Sequence, residues 1–328
     1  MSTTTNNKTS FSNYTKQGVF AEYEKCCKKG DFESACFWVM EIYLSGWYET
    51  WKLKAIIFGS KYIHIENPSI PEALVNFQKN RKEIEIAFGI TGILSMSTKG
   101  TIYQLPKISE DHLSTTFLMN KFVSIHPIVT TISKKNENEV IQYTISLILQ
   151  GIQEGDINKA ILWLGWTITL EKLQKKCITT NSRSWKQIPP KYTTDWIWFF
   201  WEALLKYNQE DTTRYHIIQC LLVMFATDYK TAHKTQLVSC LIHAILLSTV
   251  KNIQFKSDPF IDRKRISAAL QKIDYMHNMI LKKNQGVSYN YEVSNKTCQK
   301  RGTAASTSNS TSQSQSSTDI VDKLLFNI

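Results

Sequence analysis

Four residues offer metal-ligand chemistry by type and spacing. His216 and Cys220 lie four residues apart and Cys240 and His243 three apart, so each pair shares one face of a helix. Two antiparallel helices could bring the pairs together as a Cys2His2 tetrahedron, the ligand set zinc prefers. The 19 residues between Cys220 and Cys240 hold no turn motif, which is not the spacing of a zinc finger. The competing reading, small apolar thiols and hydrogen-bonded histidines inside a helical core, fits the pattern better. Cys26 and Cys27 sit beside Lys25, Lys28 and Lys29, cations that lower a thiol's pKa. No histidine is near them in sequence to act as a base, and one of two adjacent helix positions is expected at the surface. The pairs Glu83/Glu85 and Glu137/Glu139 lie in charge-mixed stretches and read as solvated faces, not acid/base pairs. With 12 Gly and 7 Pro and no GxxxxGK[ST], the chain has little material for a phosphate-cradling loop. No catalytic residue and no cofactor are expected.

Binding chemistry has more material. The 328 residues carry 39 Lys and Arg against 28 acids, a net charge of +11 that attracts nucleic acid, acidic proteins or anionic headgroups. Only six of the basic residues are Arg, so an A+T-rich codon bias supplies a second source for the excess. Arg183, Trp185 and Lys186 place an aromatic between two cations in a polar loop, where an exposed indole can stack on an unpaired base. Arg263, Lys264 and Arg265 open a basic helix, Asp262 to Lys283, that continues through Lys272 to Lys282 and Lys283. DNA or RNA is therefore a candidate partner, with a merely solvated basic surface as the alternative.

Periodicity says what must hold these groups. Apolar residues make up 42% of the chain and aromatics 12%, with nine Trp, which excludes a disordered or fibrous chain. The longest apolar stretches, 217–226 and 237–250, fall short of the ~20 residues that cross a bilayer, so no membrane partner is expected. The seven cysteines and the polar N-terminus imply a reducing, intracellular compartment with free thiols. The pattern predicts an all-α fold: a disordered N-terminus (1–16), a first helical unit (17–132), a second (133–295), a disordered Ser/Thr/Gln-rich linker (296–318) and a short apolar docking peptide (319–328). Within 102–131 short helices and a small hairpin are both open. Asp31, Asp156 and Asp195 are expected to cap helices.

The helical array repeats itself. GDFESACFWV at 30–39 and GDINKAILWL at 155–164 share Gly, Asp, Ala and Trp at an offset of 125 residues, each after one helical segment and before another. Gly155, Asp156, Ala160 and Trp163 are thus the counterparts of the first unit's turn, which points to two related helix–turn–helix units.

The stretch 30–68 resembles the C-terminal helical collar of clamp-loader-type AAA+ ATPases, in particular the MgsA and Werner-helicase-interacting ATPase family. The residues that carry the likeness are Asp31, Ala35, Phe37-Trp38 and Gly46, then Ser60, Ile63, Asn67 and Pro68. The acidic pair that follows the family's serine is Lys61-Tyr62 here, and the ATPase motifs are absent. The whole chain also resembles an uncharacterised family of large eukaryotic DNA viruses. The likeness implies a non-enzymatic helical adaptor in viral DNA replication or repair, in host cytoplasm or nucleus or at a replication site. Its partners would be replication proteins or further copies of itself, met through Trp-rich faces such as those around Trp38 and Trp163. Leu324, Leu325 and Phe326 resemble the hydrophobic end of sliding-clamp-binding peptides, although the expected glutamine is missing. That tail either docks on a partner or folds back on its own chain.

Overall fold

The structure, a computed structural model, describes residues 9–77, 83–121, 124–175, 177–183, 185, 188, 190–227, 229–230, 234–255 and 262–284. The tail residues Leu324, Leu325 and Phe326, the linker 296–318 and Lys186 lie outside the described residues. The chain is all-α. Its helices are α1 (Lys16–Lys29), α2 (Phe32–Leu44), α3 (Tyr48–Phe58), α4 (Ile70–Phe77), α5 (Glu83–Met96), α6 (Thr115–Lys121) and α7 (Pro127–Ile132). There follow α8 (Glu139–Glu154), α9 (Ile157–Gln174), α10 (Trp196–Tyr207), α11 (Thr212–Thr227), α12 (Val238–Thr249), α13 (Arg263–Gln271) and α14 (Ile273–Asn284). Among the described residues there is no strand, only isolated bridges from Thr9 to Thr15 and from Thr179 to Asp195. No described helix is long and apolar enough to cross a membrane.

The described residues fall into two compact units that are not contiguous halves of the chain. The first draws on Met1–Phe58, Asn76–Lys99 and Asp258–Ile328, the second on Gly59–Val75 and Gly100–Ser257. The contiguous division at 132/133 expected from local pattern is replaced by this one for a packing reason. In the first unit α5 packs on α1 and α2, and α13 and α14 return from far along the chain to pack on α5 and α2.

In the first unit α1 and α2 form a hairpin. Gly30 ends α1 at φ 75°, a left-handed conformation that costs a residue with a Cβ about 1–2 kcal/mol. The Gly30 and Asp31 N–H groups then bond back to the carbonyls of Cys27 and Cys26 at 3.3 and 3.0 Å. Asp31 starts α2 by accepting the Ser34 N–H at 3.1 Å. The core behind the hairpin is aromatic: Phe20, Tyr23, Phe32, Trp38, Trp47, Trp51 and Phe88 are all buried. Each such side chain contributes about 1.5–3 kcal/mol on leaving water.

Residues 9–16 depart from the expected disorder. Ser12 donates its backbone N–H and its hydroxyl to the Glu41 carboxylate at 2.6 and 2.8 Å, satisfying an acid with 0% exposure. Tyr14 packs edge-on against Trp38 with ring centroids 5.4 Å apart. A buried carboxylate in α2 needs donors, and this segment supplies them.

In the second unit α8 and α9 repeat the hairpin bond for bond. Gly155 lies at φ 76°, the Gly155 and Asp156 N–H groups reach the carbonyls of Ile152 and Gly151 at 3.1 and 2.8 Å, and Asp156 accepts the Lys159 N–H at 2.9 Å. The two helices pack closely at Gly151, where a Cβ would meet the Ala160 nitrogen at 2.8 Å. The helix α10 packs on α7 and α8, and α12 packs on α8 and α9. After α2 the apolar chain is not one continuous helix: α3 stops at Phe58, Gly59–Ile63 is a π-helical turn and His64–Glu66 a 3-10 turn. The open stretch resolves into short helices, with 101–109 irregular and no hairpin among its described residues.

Candidate functional site

Of the sequence-derived candidates among the described residues, three are not surface sites. The Cys2His2 set does not form. His216 is exposed on α11, with Nε2 3.3 Å from the Glu72 carboxylate and 3.8 Å from the Cys220 sulfur. Cys240 and His243 are wholly buried on α12, where Cys240 meets the Ser60 hydroxyl at 3.5 Å. Two residues sharing a face on each helix were not enough, because His216 on α11 faces solvent and the Glu72 carboxylate while Cys220 and the α12 pair are buried. Cys26 and Cys27 are both buried, correcting the expectation that one is exposed. Burial pushes their thiols up to about 11 and about 12, which leaves no nucleophilic thiolate near neutral pH.

Arg183 is not a phosphate contact. It is 2% exposed, with Nη2 2.7 Å from Glu137 and Nε 2.9 Å from Glu202, and its guanidinium lies 4.2 Å from the Phe199 ring centroid. Burial raises the Glu137 carboxyl, but Arg183 and the Asn181 N–H outweigh it and hold the group below its ordinary value. Trp185 beside it is half-buried. The Trp-rich faces are likewise consumed internally: eight of the nine tryptophans are buried, Trp38 and Trp163 among them. Ala35, Ala160, Ser60, Ile63, Asn67 and Pro68 are buried as well, while Gly46 ends the α2 turn at φ 70°.

The largest polar constellation was not anticipated. Lys234, ahead of α12, places Nζ 2.8 and 2.9 Å from the two Glu171 oxygens and 2.7 Å from Asp195 Oδ1. Tyr229 donates its hydroxyl to the other Asp195 oxygen, and the Cys177 sulfur lies 3.9 Å from the ammonium. Asp195 also caps α10, as expected, by accepting the Ile197 N–H at 3.2 Å. Beside the cluster opens a pocket of about 210 Å³ lined by Ile168, Glu171, Lys172, Lys175, Cys177, Lys234 and Thr235. Burial alone would lower the Lys234 pKa; Asp195 and Glu171 overcome it and raise it. Burial, and then Asp195, hold the Cys177 thiol and the Tyr229 phenol far above their ordinary values. The amine is therefore a cation and the thiol and phenol stay protonated, so none is an attacking group. An ammonium has three donors, and all three point at carboxylate oxygens.

Glu171, Cys177 and Asp195 are also the one described group whose ligand atoms lie within 4.8 Å of one another, the proximity a metal needs. Lys234 already holds a positive charge at hydrogen-bond distance from both carboxylates. The cluster is compensated from within. No local motif announces it, because its members span residues 171 to 234 and meet only in the fold.

A third polar group lies in the 3-10 turn that follows the π-helical one. His64 has a φ of +31°, and its Nε2 meets the Thr101 carbonyl at 2.8 Å. Its ring centroid stands 6.3 Å from that of His243, whose two nitrogens have no hydrogen-bond partner among the described residues. Burial lowers both imidazole pKa values, that of His243 to about 3, so both rings are neutral near neutral pH.

One basic stretch stays open to solvent. On α13 and α14 Lys264, Arg265, Lys272 and Lys282 are exposed and Arg263 is half-buried, whereas Ile266, Ala269, Met276, Met279 and Ile280 face inward. Arg265 spends its charge on Glu33, at 2.7 Å from Nε. Comparison with protein families, curated proteins and solved structures finds no match to this chain.

Proposed function

We propose that this protein is a non-enzymatic helical binding module whose partner is a polyanion, nucleic acid first among them. One observation carries the reading: the amphipathic pair α13–α14 buries its apolar side and leaves Lys264, Lys272 and Lys282 in solvent. A net charge of +11 draws phosphates towards such a face. The interior chemistry supports binding over turnover, since the Lys234 donors are saturated and the buried thiols stay protonated. Titrating labelled DNA and RNA at several salt concentrations tests it. Affinity should fall steeply with salt, with a log–log slope of about −0.9 per duplex phosphate neutralised. Weak binding that ignores salt would refute it.

A second reading, an adaptor in DNA replication or repair, draws support from the doubled hairpin. Stacked helix pairs are a common way to build extended protein-binding surfaces, and Asp31 and Gly46 of the collar-like stretch occupy capping positions here. Its partners would be a replication protein or another copy of the chain. Light scattering of the purified protein, with a titration of the 319–328 peptide against a sliding clamp, tests it. A monomer whose tail ignores the clamp removes this second reading.

A further inference from the structure

The exposed face of α13–α14 holds more than charge. Lys264, Ala268, Lys272, Tyr275, Asn278 and Lys282 are all exposed and succeed one another at steps of three or four residues, which puts them on one helical face. Tyr275 is 61% exposed, more than any other large hydrophobic side chain described. Among the described residues the ring is left largely open, although Met276 next to it is buried at 8%. The two helices join with little interruption: the Lys272 N–H bonds to the Ala269 carbonyl at 3.0 Å, and the Lys272 carbonyl accepts the Met276 N–H at 2.8 Å. From Lys264 to Lys282 the face runs at most about 27 Å at 1.5 Å per residue. Its lysines form no ion pair among the described residues, unlike Arg265. The one acid on these helices near the ring, Asp274, points about 100° away around the helix.

From this we infer that the α13–α14 face binds single-stranded nucleic acid, with the lysines on successive phosphates and Tyr275 stacked on an unpaired base. The inference rests on the polyanion reading above and narrows it. In a duplex the base faces are already stacked and give an exposed ring nothing to cover. In a single strand every base offers a face, so the contact tolerates any sequence. An acidic protein or a lipid surface would also meet the lysines and cover the ring, but neither would give oligonucleotide binding that depends on Tyr275 and spares the duplex.

The test measures fluorescence anisotropy of an oligothymidylate of about 20 nucleotides, and of a duplex of equal length, with the full-length protein. Tyr275→Ala should weaken single-strand binding by about 5- to 150-fold, the value of one lost base stack, and change duplex binding by less than about twofold. Tyr275→Trp should restore it. Joint replacement of Lys264, Lys272 and Lys282 by Ala should reduce the single-strand salt slope by about 2, at roughly 0.7 per contact. The substituted side chains are all in solvent, so the circular dichroism spectrum should not change. If Tyr275→Ala leaves single-strand binding intact, or weakens strand and duplex alike, the inference fails while the polyanion module stands. If the wild-type protein binds neither nucleic acid in low salt, both fail together.

Discussion

The most demanding prediction concerns acid. His243 has 0% exposure on α12, and neither ring nitrogen has a hydrogen-bond partner among the described residues. Burial, helped by the neighbouring His64 ring, lowers its pKa from 6.5 to about 3. The folded value lies below the unfolded one, so between the two it is the unfolded chain that takes up the proton. The contribution is therefore complete above about pH 6.5 and is lost as pH falls. The loss runs at about 1.4 kcal/mol per pH unit and flattens as pH nears the folded value, which gives ~2 kcal/mol by pH 5 and ~4 kcal/mol by pH 3. His243→Leu keeps an apolar side chain of similar size and cannot titrate. Denaturant unfolding of both proteins, followed by tryptophan fluorescence at about pH 7.5 and about pH 5, reads the difference. Carboxylates and His64 titrate in both and cancel, so the variant should gain ~2 kcal/mol on the wild type across that interval. Parallel pH profiles would show that the imidazole is hydrated or partnered in solution, and the argument from burial would be refuted.

Other outcomes follow from the same packing. Lys234→Ala should cost about 3–5 kcal/mol in thermal or denaturant unfolding, because it leaves the buried Asp195 and the half-buried Glu171 without a counter-charge; Lys234→Ala combined with Glu171→Gln and Asp195→Asn should recover much of that. Arg183→Ala should destabilise by about 3 kcal/mol or more, through the Glu137 carboxylate with 0% side-chain exposure, and leave nucleic-acid affinity within about twofold. Gly155→Ala should cost about 1–2 kcal/mol for its positive φ. Gly151→Ala forces a Cβ onto the Ala160 backbone and should cost about 1–3 kcal/mol in the same unfolding measurement.

Features set by a few neighbouring residues were readable before any coordinates. Asp31, Asp156 and Asp195 cap helices because a short acceptor ahead of an apolar run has few other places to bond, and Gly30 and Gly155 sit where a left-handed residue is required. The doubled Gly-Asp turn was readable for the same reason. The breaks were harder. One amphipathic pattern covers α13 and α14, and another runs through the π-helical turn, since periodicity reports a face and not a hydrogen-bond ladder. Charge was the poorest guide. Arg183 lies in a run that looks like any basic loop, yet Glu137 and Glu202 draw it inside. The Lys234 cluster joins five residues from separate elements, and only the path of the chain brings them together. Tyr275 is the converse, an aromatic that shares the lysine face of its helix and stays in solvent.

The saturated ammonium of Lys234 has a practical corollary. Acylating reagents need a free amine lone pair, and this nitrogen must first shed a proton and let go of Glu171 and Asp195. It should therefore react far more slowly than its pocket neighbours Lys172 and Lys175, both of which are exposed. The rate at which a peptide containing Lys234 acquires label would then report how often this part of the molecule opens, one residue serving as a clock for the unit around it.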